Sequence, residues 1–272
     1  MKIKAIFLLA GFFLFANVQA QENHHNFAFK VGEKLEYNLY YNLGFIWLNA
    51  AKVDFTVKEE KFEEMSVYGL HMTSATIKGF SLFYFRDTTY SYVNKNTLLP
   101  YFAYQASHEK NYFTRDKYTF PQQNTTPWKV FLERQTSKRT RDTTFTADKP
   151  HYDLLSTLYR LRNIDASALT VNEKIPMPMV FNDGFHDLYI RYVGKEQIKL
   201  KNGKTYNALK FKPLLAEGKM FEKGEGMTIW ISDDENKIPL MVESKLKIGS
   251  VKAMLSAEKN TVHPMTSEVK KK

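Results

Sequence analysis

Apolar and polar residues alternate along most of the chain. Leu35, Tyr37, Leu39 and Tyr41 alternate with Lys34, Glu36, Asn38 and Tyr40. Ala51, Val53, Phe55 and Val57 alternate in the same way with Lys52, Asp54, Thr56 and Lys58. A period of two turns one set toward a core and the other toward water, which is the signature of a half-buried strand. The pattern predicts further strands at 68–72, 88–92, 102–106, 111–120 and 128–134. Asn202-Gly203 separates strand-like runs at 197–201 and 204–212, and both residues tolerate positive φ, so a type I′ hairpin is expected. Runs at 226–232 and 238–246 flank the polar stretch 233–237, a hairpin with a longer acidic turn, and a last strand is expected at 248–255.

One segment has a different period. Leu154, Leu158 and Leu161 share a helical face with Leu155 beside them. Asp153 suits the N-cap, and Arg160 and Arg162 lie where the helix dipole favours cations. The fold expected is therefore mainly β: an antiparallel barrel or half-barrel of curved sheets with one central helix at 153–162. The helix either plugs or flanks the barrel, or joins two β-rich halves near 137–165. Residues 137–150 before it read as a polar loop, and 261–272 as a flexible basic tail.

The first 20 residues stand outside this pattern. Lys2 and Lys4 precede the apolar run Ala5 to Phe15, and Val18 and Ala20 are small residues at the −3 and −1 positions of a cleavage site. This is a secretory signal peptide, and its run is shorter than the roughly 20 residues needed to cross a bilayer. Residue 21 is Gln rather than Cys, so the exported chain is not a lipoprotein. The expected location is the periplasm of a Gram-negative envelope. The mature chain has no transmembrane span, and 21–260 is expected to form one β domain.

Composition narrows the chemistry. Of 272 residues, 39 are Lys or Arg and 29 Asp or Glu, a net charge of +10, and there is no cysteine. That absence removes disulfide frameworks, thiolate metal sites and cysteine nucleophiles. The basic residues are scattered rather than gathered into a nucleic-acid motif, so nucleic acid is not an expected partner. His151, Asp153, Ser156 and His186-Asp187 invite a hydrolase reading, but no G-x-S-x-G elbow accompanies them, and no catalytic residue is assigned. The histidines lack metal-ligand spacing, and Asp233-Asp234-Glu235-Asn236 lacks the length and glycine of a calcium loop, so neither metal nor cofactor is expected. Arg-Asp-Thr-Thr occurs at 86–89 and 141–144. It resembles a short Asp-Thr acceptor of O-glycosylation, and equally suits threonine-rich strand starts.

Several segments follow one another in a characteristic order along the chain. They are Phe29-Lys30-Val31-Gly32-Glu33-Lys34-Leu35-Glu36-Tyr37, Asn96-Thr97-Leu98-Leu99-Pro100, the 153–162 helix, Lys201-Asn202-Gly203-Lys204, and Ile229-Trp230-Ile231-Ser232-Asp233-Asp234 leading to Ile238-Pro239. The set resembles the DUF3108 family of exported bacterial proteins over nearly all of the mature chain. That family has no established activity, so the resemblance implies no functional residue. The closing strand pair also resembles those of LolA-like periplasmic carrier folds, where it is structural.

Aromatic residues are the remaining feature, with 21 Phe, 16 Tyr and 3 Trp. They crowd the N-terminal half, above all in Ile77-Lys78-Gly79-Phe80-Ser81-Leu82-Phe83-Tyr84-Phe85. This run reads as a strand buried on both faces, a flap over a ligand cavity, or an exposed docking patch. The preferred expectation is a non-catalytic envelope protein that binds a lipid or glycolipid in a cavity lined by Tyr37, Trp47, Phe80, Phe83 and Phe85. The alternatives are an envelope scaffold acting through a protein partner, and a hydrolase whose site assembles only in three dimensions.

Overall fold

The computed structural model describes residues 26–43, 46–120, 125–182, 184–215, 224–246 and 249–270. The segment expected to be a signal peptide lies outside the described residues. A meander of eight strands comes first: β1 (Lys34–Leu43), β2 (Ile46–Phe62), β3 (Met65–Thr76), β4 (Arg86–Val93), β5 (Pro100–Glu109), β6 (Tyr112–Thr119), β7 (Trp128–Thr136) and β8 (Thr140–Ala147). Helix α1 (Leu154–Leu161) follows. A second meander comprises β9 (Lys174–Phe181), β10 (Gly184–Lys199), β11 (Thr205–Pro213), β12 (Met227–Ser232), β13 (Pro239–Lys245) and β14 (Ser250–Lys259).

β14 returns to pair with β1, so one antiparallel sheet runs from β8 through β1 and β14 to β9. The expected curved β architecture is present as an open sheet rather than a closed barrel. Its two edges approach each other. The ring of Phe145 on β8 meets that of Phe185 on β10 at 5.8 Å, and the Tyr118 hydroxyl donates to the Asn182 carbonyl at 3.3 Å. Tyr152 covers part of the β9 edge, donating its N–H to Pro178 and accepting from Val180. Edge groups that would otherwise lack partners are satisfied in this way.

Because all neighbours are antiparallel, successive connections alternate between the two ends. The turns after β1, β3, β5, β7, β9, β11 and β13 share one end, here termed the hairpin end. The entry to β1, the β12–β13 turn and the exit from β14 share the other, the capped end.

The helix packs on the inner side of the sheet, and Asp153 is its N-cap as expected. Leu155, Leu158 and Tyr159 join Val57, Leu70 and Val93, whereas Leu154 and Leu161 join the cluster of Met179, Ile190, Leu209 and Ile231. Two apolar flanks explain why its leucines outnumber those of a single stripe.

A buried network seals the capped end. Arg162 donates to both oxygens of Glu33, at 2.5 and 2.9 Å, and to the carbonyls of Ala28 and Asn236. Residues 261–270, expected as a flexible basic tail, are seated here. Asp234 accepts from the backbone and hydroxyl of Ser267, Asn236 exchanges hydrogen bonds with His263, and Val269 donates to Thr205. The acidic 233–237 turn is thus an anchor rather than a solvated loop. Both carboxylate oxygens of Asp234 already have protein donors.

Other expectations shift locally. The polar loop at 137–150 contains edge strand β8, whose Arg-Asp-Thr-Thr is polar on both faces and so shows no apolar alternation. Strand β9 was not legible either, since its Pro176 and Pro178 argue against a strand and are tolerated near an edge. The 201–204 hairpin forms, but Gly203 alone of the Asn-Gly pair has positive φ (+85°). Gly203 donates to Leu200, giving a type I turn closed by a left-handed glycine instead of type I′.

Candidate functional site

Following each inner row toward the hairpin end, side chains change character. On β4 the row runs Val93, Ser91, Thr89, Asp87; on β5, Ala103, Gln105, Ser107. On β6 it runs Tyr118, Asp116, Thr114, and on β7 Val130, Leu132, Arg134, Thr136. Period two keeps all of these on one face, and register sets the rows side by side. The apolar ends of the rows form a packed cluster around Tyr118, Trp128 and Leu132. The polar ends surround a cavity of about 490 Å³. Met72 and Leu154 supply apolar wall and floor, and Asn182 reaches in from the β9–β10 turn.

An ion pair dominates this wall. Arg134 donates through Nε to Asp116 Oδ1 at 2.7 Å and through Nη2 to Oδ2 at 2.5 Å. The geometry is bidentate, and Asp116 is only 4% exposed. Asp87 accepts from the Ser74 hydroxyl at 3.1 Å through one oxygen, while its other oxygen is buried without a donor. Hydroxyls of Thr89 and Thr114 and the amide of Gln105 complete a surface that can both donate and accept, while the Thr136 hydroxyl is held by the backbone of Lys138 and Arg139.

Below the floor, Asp153 accepts from the hydroxyls of Ser91 (2.8 Å) and Ser156 (2.6 Å) and from two backbone N–H groups. Burial raises its carboxyl above the ordinary aspartate value, and these hydrogen bonds oppose the rise. Ser156 is fully buried, so its hydroxyl serves the cap rather than a substrate. His151 contacts the Lys149 carbonyl and the Phe185 ring, and burial lowers its pKa. His186 stacks on Phe181 at 3.9 Å, and Asp187 pairs with Lys149 at 2.7 Å. The His, Asp and Ser residues singled out from the sequence each have a local structural task.

The five aromatic residues expected to line a pocket are distributed otherwise, and none is among the residues lining this cavity. Tyr37 is buried against Phe55, its hydroxyl donating to the Pro239 carbonyl at 2.8 Å. Trp47 lies under the Lys252 ammonium, 4.6 Å from the ring centre. Phe80, Phe83 and Phe85 do come together, in the β3–β4 connection rather than in a strand. Their rings form a chain at 4.7 and 6.0 Å, and Phe83 meets Tyr41 at 5.5 Å. A further share of the aromatic load stacks across strands on the outer face, where Tyr90 meets Tyr104 at 4.9 Å and Tyr92 meets Phe102 at 6.0 Å.

A comparison with curated proteins gives no match. Among solved structures, the chain is similar to the beta-barrel-like protein of a domain of unknown function, DUF1849, from Brucella abortus. The alignment covers 84% of this chain and 97% of that one, at 9% identity and a TM-score of 0.54, so the likeness concerns the fold. The family model described as "Protein of unknown function (DUF3108)" matches residues 36–256, which run from β1 into β14 and include the whole cavity wall. The chain belongs to the DUF3108 family.

Proposed function

We propose that the protein is a non-catalytic exported binding protein that holds one amphipathic molecule, a lipid or glycolipid, by its polar end in the β3–β7 cavity. The observation that carries this reading is the reversal of the inner face, from a packed apolar interior to a polar-lined space at one end. A cavity of this size falls within the roughly 300–1,000 Å³ range of small-molecule sites. Hydroxyl and amide groups suit a hydroxylated headgroup, and the Asp116–Arg134 pair sets a fixed charge arrangement in the wall beside them. Met72 and Leu154 would pack against its carbon atoms. The envelope location follows from the signal-peptide pattern.

Native mass spectrometry of the protein recovered from cells tests this. One adduct per chain is expected, with organic extraction releasing a lipid or glycolipid. Thr114→Trp, which fills the cavity, should remove the adduct while the fold is retained. An adduct retained in that folded variant, or an adduct-free wild type that takes up no extracted envelope lipid, would overturn the assignment.

A further inference from the structure

The hairpin end carries more exposed apolar surface than its turns require. Ile46 is 62% exposed, Leu82 49% and Tyr84 48%. Leu82 and Tyr84 lie on the 77–85 connection, which is firmly held. Ile77 donates to the Ala50 carbonyl, Thr76 donates to that of Phe85, and Phe83 packs on Tyr41 of β1. Phe80, Phe83 and Phe85 form a half-buried base, from which Leu82 and Tyr84 project outward. A rigid loop that directs its alternate large apolar residues into water forgoes the gain of burying them unless something else covers them.

The charges on this end say what does. Lys78 lies in the same loop, Lys110 on the β5–β6 turn, Lys138 and Arg139 on the β7–β8 turn, and Lys245 at the end of β13. All five are exposed, and none makes a salt bridge with a described residue. On the same described turns, Glu109 is an exposed carboxylate, while Glu225 is held by Arg191 at 2.5 Å. The hairpins involved are consecutive around the sheet: β13–β14, β1–β2, β3–β4, β5–β6 and β7–β8. One continuous arc thus combines leucine, isoleucine and tyrosine tips with a surplus of cations.

We propose that this arc docks on the surface of an anionic lipid bilayer, with Ile46, Leu82 and Tyr84 entering the interface and the five cations meeting headgroup charge. Aromatic and aliphatic tips beside Lys and Arg are the chemistry of an interfacial anchor, and a neutral surface would not call for the cationic surplus. The docking stands independently of what the cavity holds. It would also bring the cavity mouth, flanked by the β5–β6 and β7–β8 turns, to the membrane.

The test is flotation of the whole protein, as recovered from cells, with vesicles of phosphatidylethanolamine and phosphatidylglycerol, and in parallel with phosphatidylcholine vesicles. Binding is expected to the anionic vesicles only, and to weaken as salt rises. Leu82→Asp with Tyr84→Asp should reduce it about tenfold or more, an effect on the order of losing two interfacial side chains. Lys138→Glu with Arg139→Glu should reduce it by a similar factor at low salt. All four positions are exposed, so the melting temperature should be unchanged and loss of fold is separable from loss of binding. A wild type that fails to float with anionic vesicles, binding that is equal on phosphatidylcholine, or full binding by the Leu82/Tyr84 variant would each overturn the proposal.

Discussion

The two ends of this sheet use the same kind of ion pair for different purposes. At the capped end, Arg162 and Glu33 are almost entirely buried, and the guanidinium is saturated by Glu33 and two backbone carbonyls. At the hairpin end, Arg134 and Asp116 pair just as closely but face an unfilled space. The first pair ties together three segments that are remote in sequence: the entry to β1, the end of α1 and the β12–β13 turn. The second joins only adjacent strands, which the ladder already holds in register. Burial of charge alone therefore does not mark a binding site.

Breaking the pairs should separate these roles. Arg162→Met leaves Glu33 buried and uncompensated, and should cost about 3–5 kcal/mol by urea unfolding, with Glu33→Gln in the same chain recovering part of the loss. Arg134→Met should cost less, about 1–3 kcal/mol, because the cavity lets water reach Asp116. It should also abolish ligand retention in native mass spectra, which an Arg162 variant that still folds should not.

Between the two ends sits Asp153, whose pKa is raised in the folded protein by burial. Below about pH 3.9 the carboxyl is protonated in both the folded and unfolded chain, and its contribution to stability is fully present. As pH rises, the unfolded chain ionises first, so that contribution is lost up to the folded pKa. Asp153→Asn cannot titrate. The stability of wild type relative to this variant should therefore fall as pH is raised from 3.5 toward neutrality, as read from denaturation midpoints. A flat or rising difference would show that the cap hydrogen bonds outweigh burial.

The smallest stability effect belongs to the cavity wall itself. Gln105→Leu should change stability by no more than about 1 kcal/mol, since the side chain faces space rather than packed atoms. It should nevertheless weaken ligand retention. This pairing of near-neutral stability with lost binding is what distinguishes the hairpin end from the capped end.

Local periodicity explains what could be read without a structure. Alternation at Ala51–Val57 identifies β2, and Leu154, Leu158 and Leu161 with Asp153 identify α1 and its cap. The two copies of Arg-Asp-Thr-Thr show where such reading ends. In β4 the tetrapeptide turns Asp87 inward with Thr88 exposed, whereas in β8 it turns Arg141 to the inner face with Asp142 and Thr144 exposed. The same residues in opposite phase do opposite things, and only pairing with neighbours sets the phase. The cavity wall escaped for a related reason. Asp116, Arg134 and Thr136 are polar on a buried face, so they read as the solvent side of their strands. Glu33 and Arg162, 129 positions apart, carry no local mark of their pairing. The aromatic load pointed elsewhere, because stacking across an outer face uses the same residue types as lining a pocket.

The most direct measurement is a crystal structure of the protein purified from cells without exposure to organic solvent. Density is expected for one bound molecule in the β3–β7 cavity, within hydrogen-bond distance of Gln105, Thr114 and the Asp116–Arg134 pair. A cavity closed by its own side chains, or a ligand lodged elsewhere with only water against Arg134, would contradict it.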